Sequence, residues 1–264
     1  MSDVAASDIG LLRRWLKRNL GLRAEDYRSE FLGRRLRPYL QVQGWPDAAA
    51  CLSHLDTHPR EREGFLRRFF VGTTECFRNG EVFESFQNHF SQRIARFRWN
   101  RPVILSAACA TGEEALSLAV LLEEAGLPGL VLAADRYKPA LAGLREGSVP
   151  AKALQRVDRA DWKGYFKIAG SRAAPGPSVF SRVHPLCCDL GWGIPCKAVH
   201  SVFLRNVFVY LTEEAQERII KTMSEILVVG GLLVLGRVER IRGSRPEWEV
   251  VDRDCRIYGK IGGR

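Results

Sequence analysis

The chain has 264 residues, 46% of them hydrophobic and 27% charged, which is ordinary for a folded protein with a full-sized core and room for a second small domain. Its formal net charge of +10 points to a polyanionic partner, either nucleic acid or an acidic protein surface. No apolar stretch approaches the roughly 20 residues of a membrane span, and Met1-Ser2-Asp3-Val4-Ala5 lacks a basic-then-apolar signal pattern, so no membrane insertion and a cytoplasmic location are expected.

Residues 7–72 read as helices. Leu11, Leu12, Trp15, Leu16 and Leu20 fall at helical spacing, and Gly21 ends the run. Tyr27, Phe31, Leu32, Leu36, Tyr39 and Leu40 make a second stripe, expected to be interrupted by Pro38. Asp47 is placed to cap a helix over 48–55, and 60–70 reads as a basic amphipathic helix. Charge is concentrated here, with nine basic against three acidic residues between Leu11 and Arg37. A run like this is either a solvated helix face or a docking face.

A loop over 72–79 leads into a long helix that ends near Arg98. From there strands and helices alternate: a strand Val103–Ala107, a helix Glu113–Glu124, a strand over 130–134 ending in Asp135, and a helix over 138–146. Residues 150–180 are rich in Pro and Gly and read as irregular. A strand Val199–Leu204, a helix over 212–227, a Gly230-Gly231 turn and a strand over 232–235 follow, with 249–251 and 256–261 able to close a ribbon. Such alternation predicts a parallel sheet with right-handed crossovers.

The chemistry concentrates where the first strand passes into its helix. The turn Ala108-Cys109-Ala110-Thr111-Gly112 holds one glycine, so it is not the three-glycine fingerprint of a dinucleotide site. Glu113 and Glu114 stand at the helix start, where a phosphate would otherwise sit. An acidic helix N-terminus repels pyrophosphate and suits a cationic, phosphate-free ligand such as S-adenosylmethionine. Asp135, at the end of the second strand, is placed to accept hydrogen bonds from ribose hydroxyls. Seven cysteines form no C-x-x-C pair, and His54 and His58, although one helical turn apart, lie in no H-E-x-x-H pattern, so no metal is expected.

Four blocks, in order, resemble the chemotaxis protein methyltransferases, the CheR family, and the resemblance covers about residues 30 to 262. They are Thr73-Thr74-Glu75-Cys76-Phe77-Arg78, then Ser106 to Ser117, then Phe203-Leu204-Arg205-Asn206-Val207-Phe208-Val209-Tyr210, and Gly230-Gly231-Leu232-Leu233-Val234-Leu235-Gly236 with Glu239. The resemblance implies an α/β fold: a Rossmann-like class I methyltransferase sheet over 81–264, an inserted small β-subdomain over about 150–185, and an N-terminal helical domain over 1–80. It implies methyl transfer from S-adenosylmethionine to glutamate side chains of chemoreceptor helices, with S-adenosylhomocysteine as the second product.

The same resemblance places cofactor contacts at Thr74, Arg78, Glu113, Asp135, Asp189, Leu190, Asn206 and Val207. Arg78 suits the methionine carboxylate, and Asp189 with the Leu190 N–H suits adenine. Arg78 and Tyr210 are the candidate catalytic residues, although Tyr210 reads equally well as core at a strand end. Arg34 and Arg37, at i and i+3, are the candidate partner-docking pair, while Arg35 points elsewhere.

The chain departs from the family pattern at Gly72, Cys76, Tyr137, Leu204 and Arg237-Val238. Those departures keep open a regulatory, cofactor-binding member with weakened catalysis. A nucleic-acid methyltransferase is the other alternative, but the sequence shows no Asn/Asp-Pro-Pro-Tyr base pocket, and nucleic acid is not the expected partner.

Overall fold

The computed structural model describes residues 4–70, 72 and 74–262, so Thr73 of the first motif lies outside the described residues. Two compact units divide the chain, one of Met1–Gly72 with Tyr210–Arg218 and one of Thr73–Val209 with Ile219–Arg264. The division falls at Gly72, earlier than the expected 80. The intervening residues are held by the second unit: Cys76 donates its N–H to the Ala153 carbonyl at 2.9 Å, and the Phe77 ring stacks 4.0 Å from Trp162.

The first unit contains α1 (Ala6–Leu20), α2 (Ser29–Gln43), α3 (Ala48–Thr57) and α4 (Pro59–Phe70). Its core is built from the predicted stripes, with Leu12, Leu16, Leu32, Leu36, Leu55, Phe65 and Phe69 buried. Gly21 and Gly44 end α1 and α2 in the left-handed conformation, and Asp47 accepts the Ala50 N–H at 2.8 Å as the predicted cap. Pro38 does not interrupt α2, which runs on to Gln43. Pro38 and Arg34 are both exposed, so the carbonyl left without its helical partner sits on the solvated face. His54 and His58 stack at 3.7 Å, and His54 Nε2 lies 3.0 Å from Glu61 Oε2.

A distant piece of chain completes this unit. Arg28 donates its backbone N–H to the Tyr210 carbonyl at 2.9 Å, and Thr212 donates to the Asp26 carbonyl at 2.8 Å. Arg218 pairs with Asp26, and the Tyr210 ring lies 4.5 Å from Phe31. Periodicity carries no information on such a long-range exchange.

The second unit opens with α5 (Gly80–Phe97), followed by β1 (Val103–Ala107), α6 (Glu113–Glu124), β2 (Leu130–Asp135) and α7 (Ala142–Arg145). It continues through β3 (Val149–Pro150), α8 (Ala160–Gly164), β4 (Phe166–Ala169), β5 (Arg172–Pro175), α9 (Pro177–Phe180), β6 (Val183–Cys187) and β7 (Val199–Leu204). It closes with α10 (Glu213–Ile226), whose first residues belong to the helical unit, and then β8 (Leu227–Leu235), β9 (Trp248–Asp252) and β10 (Ile257–Lys260). The main sheet runs β6-β2-β1-β7-β8-β10-β9. Its first five strands are parallel, and β10 is antiparallel to both β8 and β9, as the expected closing ribbon.

Several predicted elements change. The helix over 138–146 shrinks to Ala142–Arg145, because Ala140, Leu141 and Ala142 close tight turns onto Tyr137, Lys138 and Pro139. The stretch read as irregular from its Pro and Gly forms, starting at Val149, the three-stranded antiparallel sheet β3-β5-β4, which is the inserted β-subdomain that the resemblance implies. β6 pairs with β2 from Val183 onward, so the insert closes before 185. Gly230-Gly231 is no turn but lies inside β8. Gly230 has φ +82, and a Cβ there would come 2.2 Å from the Phe97 ring, so glycine lets the strand bend while α5 packs against it. Among the described residues no helix is long and apolar enough to cross a membrane.

Candidate active site

In a parallel sheet all strands point one way, so β1, β2, β6, β7 and β8 deliver their following loops to one rim. The β1–α6 turn there is tightly bent: Ala108 and Ala110 have φ +58 and +50, and Gly112 has φ +93. Gly112 is required on two counts, since a Cβ there would also come 2.8 Å from Leu144.

Asp135 locks this turn. One carboxylate oxygen accepts the Ala110 N–H at 2.8 Å, and the other accepts the Tyr137 N–H at 2.8 Å. Burial pushes its carboxyl above the ordinary range, opposed by these N–H groups and by Arg136. Glu113 is 2% exposed and accepts the Thr111 hydroxyl at 2.7 and 2.9 Å. Burial raises its pKa, while hydrogen bonds from Thr111 and Thr74 and the charge of Arg172 pull it back. Thr74 and Glu113, far apart in sequence, are thereby brought together.

The two acids at the start of α6 have different fates. Glu114 turns inward, accepting the Ser106 hydroxyl at 2.8 Å and pairing with Arg205 at 3.3 Å. The Arg205 guanidinium also donates to the Arg78 carbonyl at 2.8 Å and to Asn79 Oδ1 at 3.0 Å. Arg205, itself buried, thus ties the end of β7 to the loop that carries Arg78. Phe77 N–H, donated to Ser117 Oγ at 2.8 Å, fixes that loop to α6. The Arg78 side chain remains exposed.

Asn206 adopts φ +60 directly after β7, with Val207 half-buried beside it. The carboxylate of Glu239 organises this corner. It accepts N–H bonds from Asn206 at 3.0 Å, Phe208 at 2.8 Å and Gly236 at 2.7 Å. A Cβ on Gly236 would come 2.6 Å from that carboxylate. On the other flank Cys188 donates its N–H to the Asp135 carbonyl at 3.1 Å, which brings Asp189 and Leu190 beside Asp135. Asp189 accepts the Gly191 N–H at 2.9 Å and pairs with Arg136 at 3.1 Å.

The second unit therefore assembles Thr74, Arg78, Glu113, Asp135, Asp189, Leu190, Asn206 and Val207 from loops on one sheet rim. Tyr210 belongs to the helical unit, with its ring on Phe31. Of the docking residues in that unit, Arg34 is exposed and Arg37 half-buried, while the Arg35 guanidinium lies 5.5 Å over the Phe31 ring. Sequence reasoning missed the tasks of Glu239, Arg205 and Glu114. The available signal was an acid and a base inside otherwise apolar strand ends, where charges persist only when paired.

The donor set fits a cationic nucleoside. The Ala110 N–H, which a phosphate would need, is taken by Asp135, and Glu113 fills the helix start with negative charge. This strand order, with an acid ending the second strand and an acidic first turn, defines a class I S-adenosylmethionine-dependent methyltransferase.

Residues 72–257 match the CheR methyltransferase, SAM binding domain, and residues 7–70 match the CheR methyltransferase, all-alpha domain. The chain belongs to the CheR methyltransferase family. It is 27% identical to chemotaxis protein methyltransferase 2 of Pseudomonas aeruginosa, covering 88% of this chain and 86% of that one. It is 26% identical to the chemotaxis protein methyltransferase of Salmonella typhimurium, covering 87% of this chain and 82% of that one. Against the probable biofilm formation methyltransferase WspC of Pseudomonas putida it is 26% identical over 86% of this chain and 55% of that one. The chain is a methyltransferase whose cofactor is S-adenosylmethionine.

Proposed function

We propose that the protein forms methyl esters on glutamate side chains of chemoreceptor helices. The observation that carries this reading is an acidic sheet rim, its Ala110 N–H already taken by Asp135, within a chain that matches both CheR domains. Bound S-adenosylmethionine supplies an activated methyl group on a sulfonium. An acceptor glutamate is ionised at neutral pH and needs no general base. Opposite charges cancel as sulfonium and carboxylate react, so a site that excludes water and aligns the two groups favours the transition state.

In this reading Asp135 holds the ribose hydroxyls with the lone pairs its two N–H bonds leave over. Glu113 and Thr74 face the ammonium end, and Arg78 pairs with the methionine carboxylate. Asp189 and the Leu190 N–H serve adenine, with Arg136 fixing the Asp189 carboxylate. Asn206 and Val207 complete the cofactor contacts, in the corner set by Glu239. Arg34 and Arg37 offer positive charge to glutamate-rich helices.

Tritium transfer from labelled cofactor to purified chemoreceptor cytoplasmic fragments tests the reading. Label released as methanol by base supports it, and base-stable label on nitrogen or on nucleic acid overturns it.

A further inference from the structure

The loop that leaves β8 on the active-site rim is strongly basic. Residues 236–245 contain Arg237, Arg240, Arg242 and Arg245 against one acid, Glu239. Glu239 is 3% exposed, and its carboxylate is committed to the N–H groups of Asn206, Phe208 and Gly236. The single negative charge is therefore used inside, and the outer face of the loop is cationic. Arg237, Arg240 and Arg242 are exposed, with Val238 79% exposed between the first two. Arg256 adds a further cation at the base, donating to the Arg237 carbonyl at 3.2 Å. One nearby acid, Glu81, lies 3.4 Å from Arg237, but both side chains are more than half exposed, so solvent screens the pair and an anionic ligand can displace it.

The placement adds the second half of the argument. β7 and β8 are parallel neighbours, paired through Leu204 and Leu235, so Asn206 and Gly236 leave the same end of the sheet. The Glu239 carboxylate binds both, which couples the cationic loop to the corner that holds Asn206, one of the candidate cofactor contacts. The positions Arg237-Val238 are also where this chain departs from its family's pattern.

We infer that the 236–245 loop docks the acidic segment around the acceptor glutamate, with Arg237, Arg240 and Arg242 holding the flanking carboxylates. This rests on the methyl-ester reading. The occupant is an anionic helical protein segment, because exposed guanidinium groups bind carboxylates in bidentate fashion and steer acidic surfaces at long range. The device discriminates substrate from product: an esterified glutamate has lost its charge, so each turnover weakens the attraction and favours release.

Fluorescence anisotropy of a labelled helical peptide carrying paired glutamates, with S-adenosylhomocysteine present, tests this beside the same peptide carrying glutamines. The parent is expected to prefer the glutamate peptide. The variant Arg237→Gln, Arg240→Gln, Arg242→Gln should weaken that binding roughly tenfold, while S-adenosylhomocysteine affinity is retained. The matching triple lysine variant, which keeps the charge, should stay near the parent. A loss under about twofold in the glutamine variant overturns the inference, as does a lysine variant equally impaired. Joint loss of cofactor-product binding makes the loop structural and overturns it as well. Failure of the ester reading shows separately, as a parent that binds the glutamate peptide through this loop yet yields no base-labile label.

Discussion

Glu239 holds Asn206: its carboxylate accepts the Asn206 N–H at 3.0 Å while the same oxygen takes the Gly236 N–H at 2.7 Å. One buried acid thus staples the loops after two neighbouring strands and fixes Asn206 at φ +60. Glu239→Ala removes the acceptor and leaves three N–H groups in a buried corner. A loss of about 2–4 kcal/mol in unfolding free energy is expected, with weaker cofactor binding. Glu239→Gln retains one acceptor oxygen and should lose less. Urea unfolding and calorimetry check both, and an unchanged Glu239→Ala variant refutes the staple.

Arg205 and Glu114 form a second buried linkage, here between β7, α6 and the Arg78 loop. Arg205→Met strands Glu114 and frees the loop, so stability should fall by about 3–5 kcal/mol and cofactor affinity should fall with it. Adding Glu114→Gln removes the stranded charge. The double variant should regain part of the stability but not the affinity, since the Arg78 carbonyl and Asn79 still lack their donor. Full recovery of affinity would show that Arg205 does not position this loop.

How much of this was legible in the sequence follows from range. Val103–Ala107 and Glu113–Glu124 announce themselves because strand period, turn and helix start are local. Asp135 could be placed because it directly ends an apolar strand. Periodicity did not show the β3-β5-β4 sheet or β6, because short strands with exposed faces in a Pro- and Gly-rich stretch show no clean period; the inserted β-subdomain was expected from the family resemblance alone. Glu239 was visible only as part of a motif; its three donors lie on segments more than thirty residues away or on a strand end. The union of Tyr210–Arg218 with the helical unit depends on backbone bonds to Asp26 and Arg28, to which side-chain patterning is blind.

Cofactor binding should depend on acid. Burial raises Asp135 and Glu113, so both take up protons above the ordinary carboxylate range as pH falls. A raised acid contributes stability that is present below its unfolded pKa and lost as pH rises through its folded pKa. Affinity for a cationic ligand runs the other way, because only the ionised acids attract it. S-adenosylmethionine binding should therefore weaken as pH falls from neutral, already above the ordinary carboxylate range, before the fold suffers. Asp135→Asn should flatten part of this dependence and cost about 1–3 kcal/mol of affinity near neutral pH. Calorimetry from neutral pH downward checks it, and a flat profile in the parent removes Asp135 and Glu113 from the ligand's surroundings.

The helical unit yields the last prediction. Arg34 is exposed and Arg37 half-buried on α2, whereas Arg35 covers the Phe31 ring at 5.5 Å. The three arginines should separate by readout. Arg34→Glu with Arg37→Glu changes charge on a helix that can meet an acidic partner, so the KM for chemoreceptor fragments should rise while cofactor affinity stays at the parent value. Each exposed pair is worth about 0–1 kcal/mol, so the effect should be several-fold, act mainly on association, and shrink as salt rises. Arg35→Ala should instead lower the melting temperature of the protein, since it uncovers an aromatic face, and should shift KM less. Steady-state kinetics at low and high salt, beside thermal melts, separate the two. Unchanged receptor kinetics in the double variant at low salt would make the arginines of α2 a solvated face and leave acceptor recognition to the methyltransferase unit.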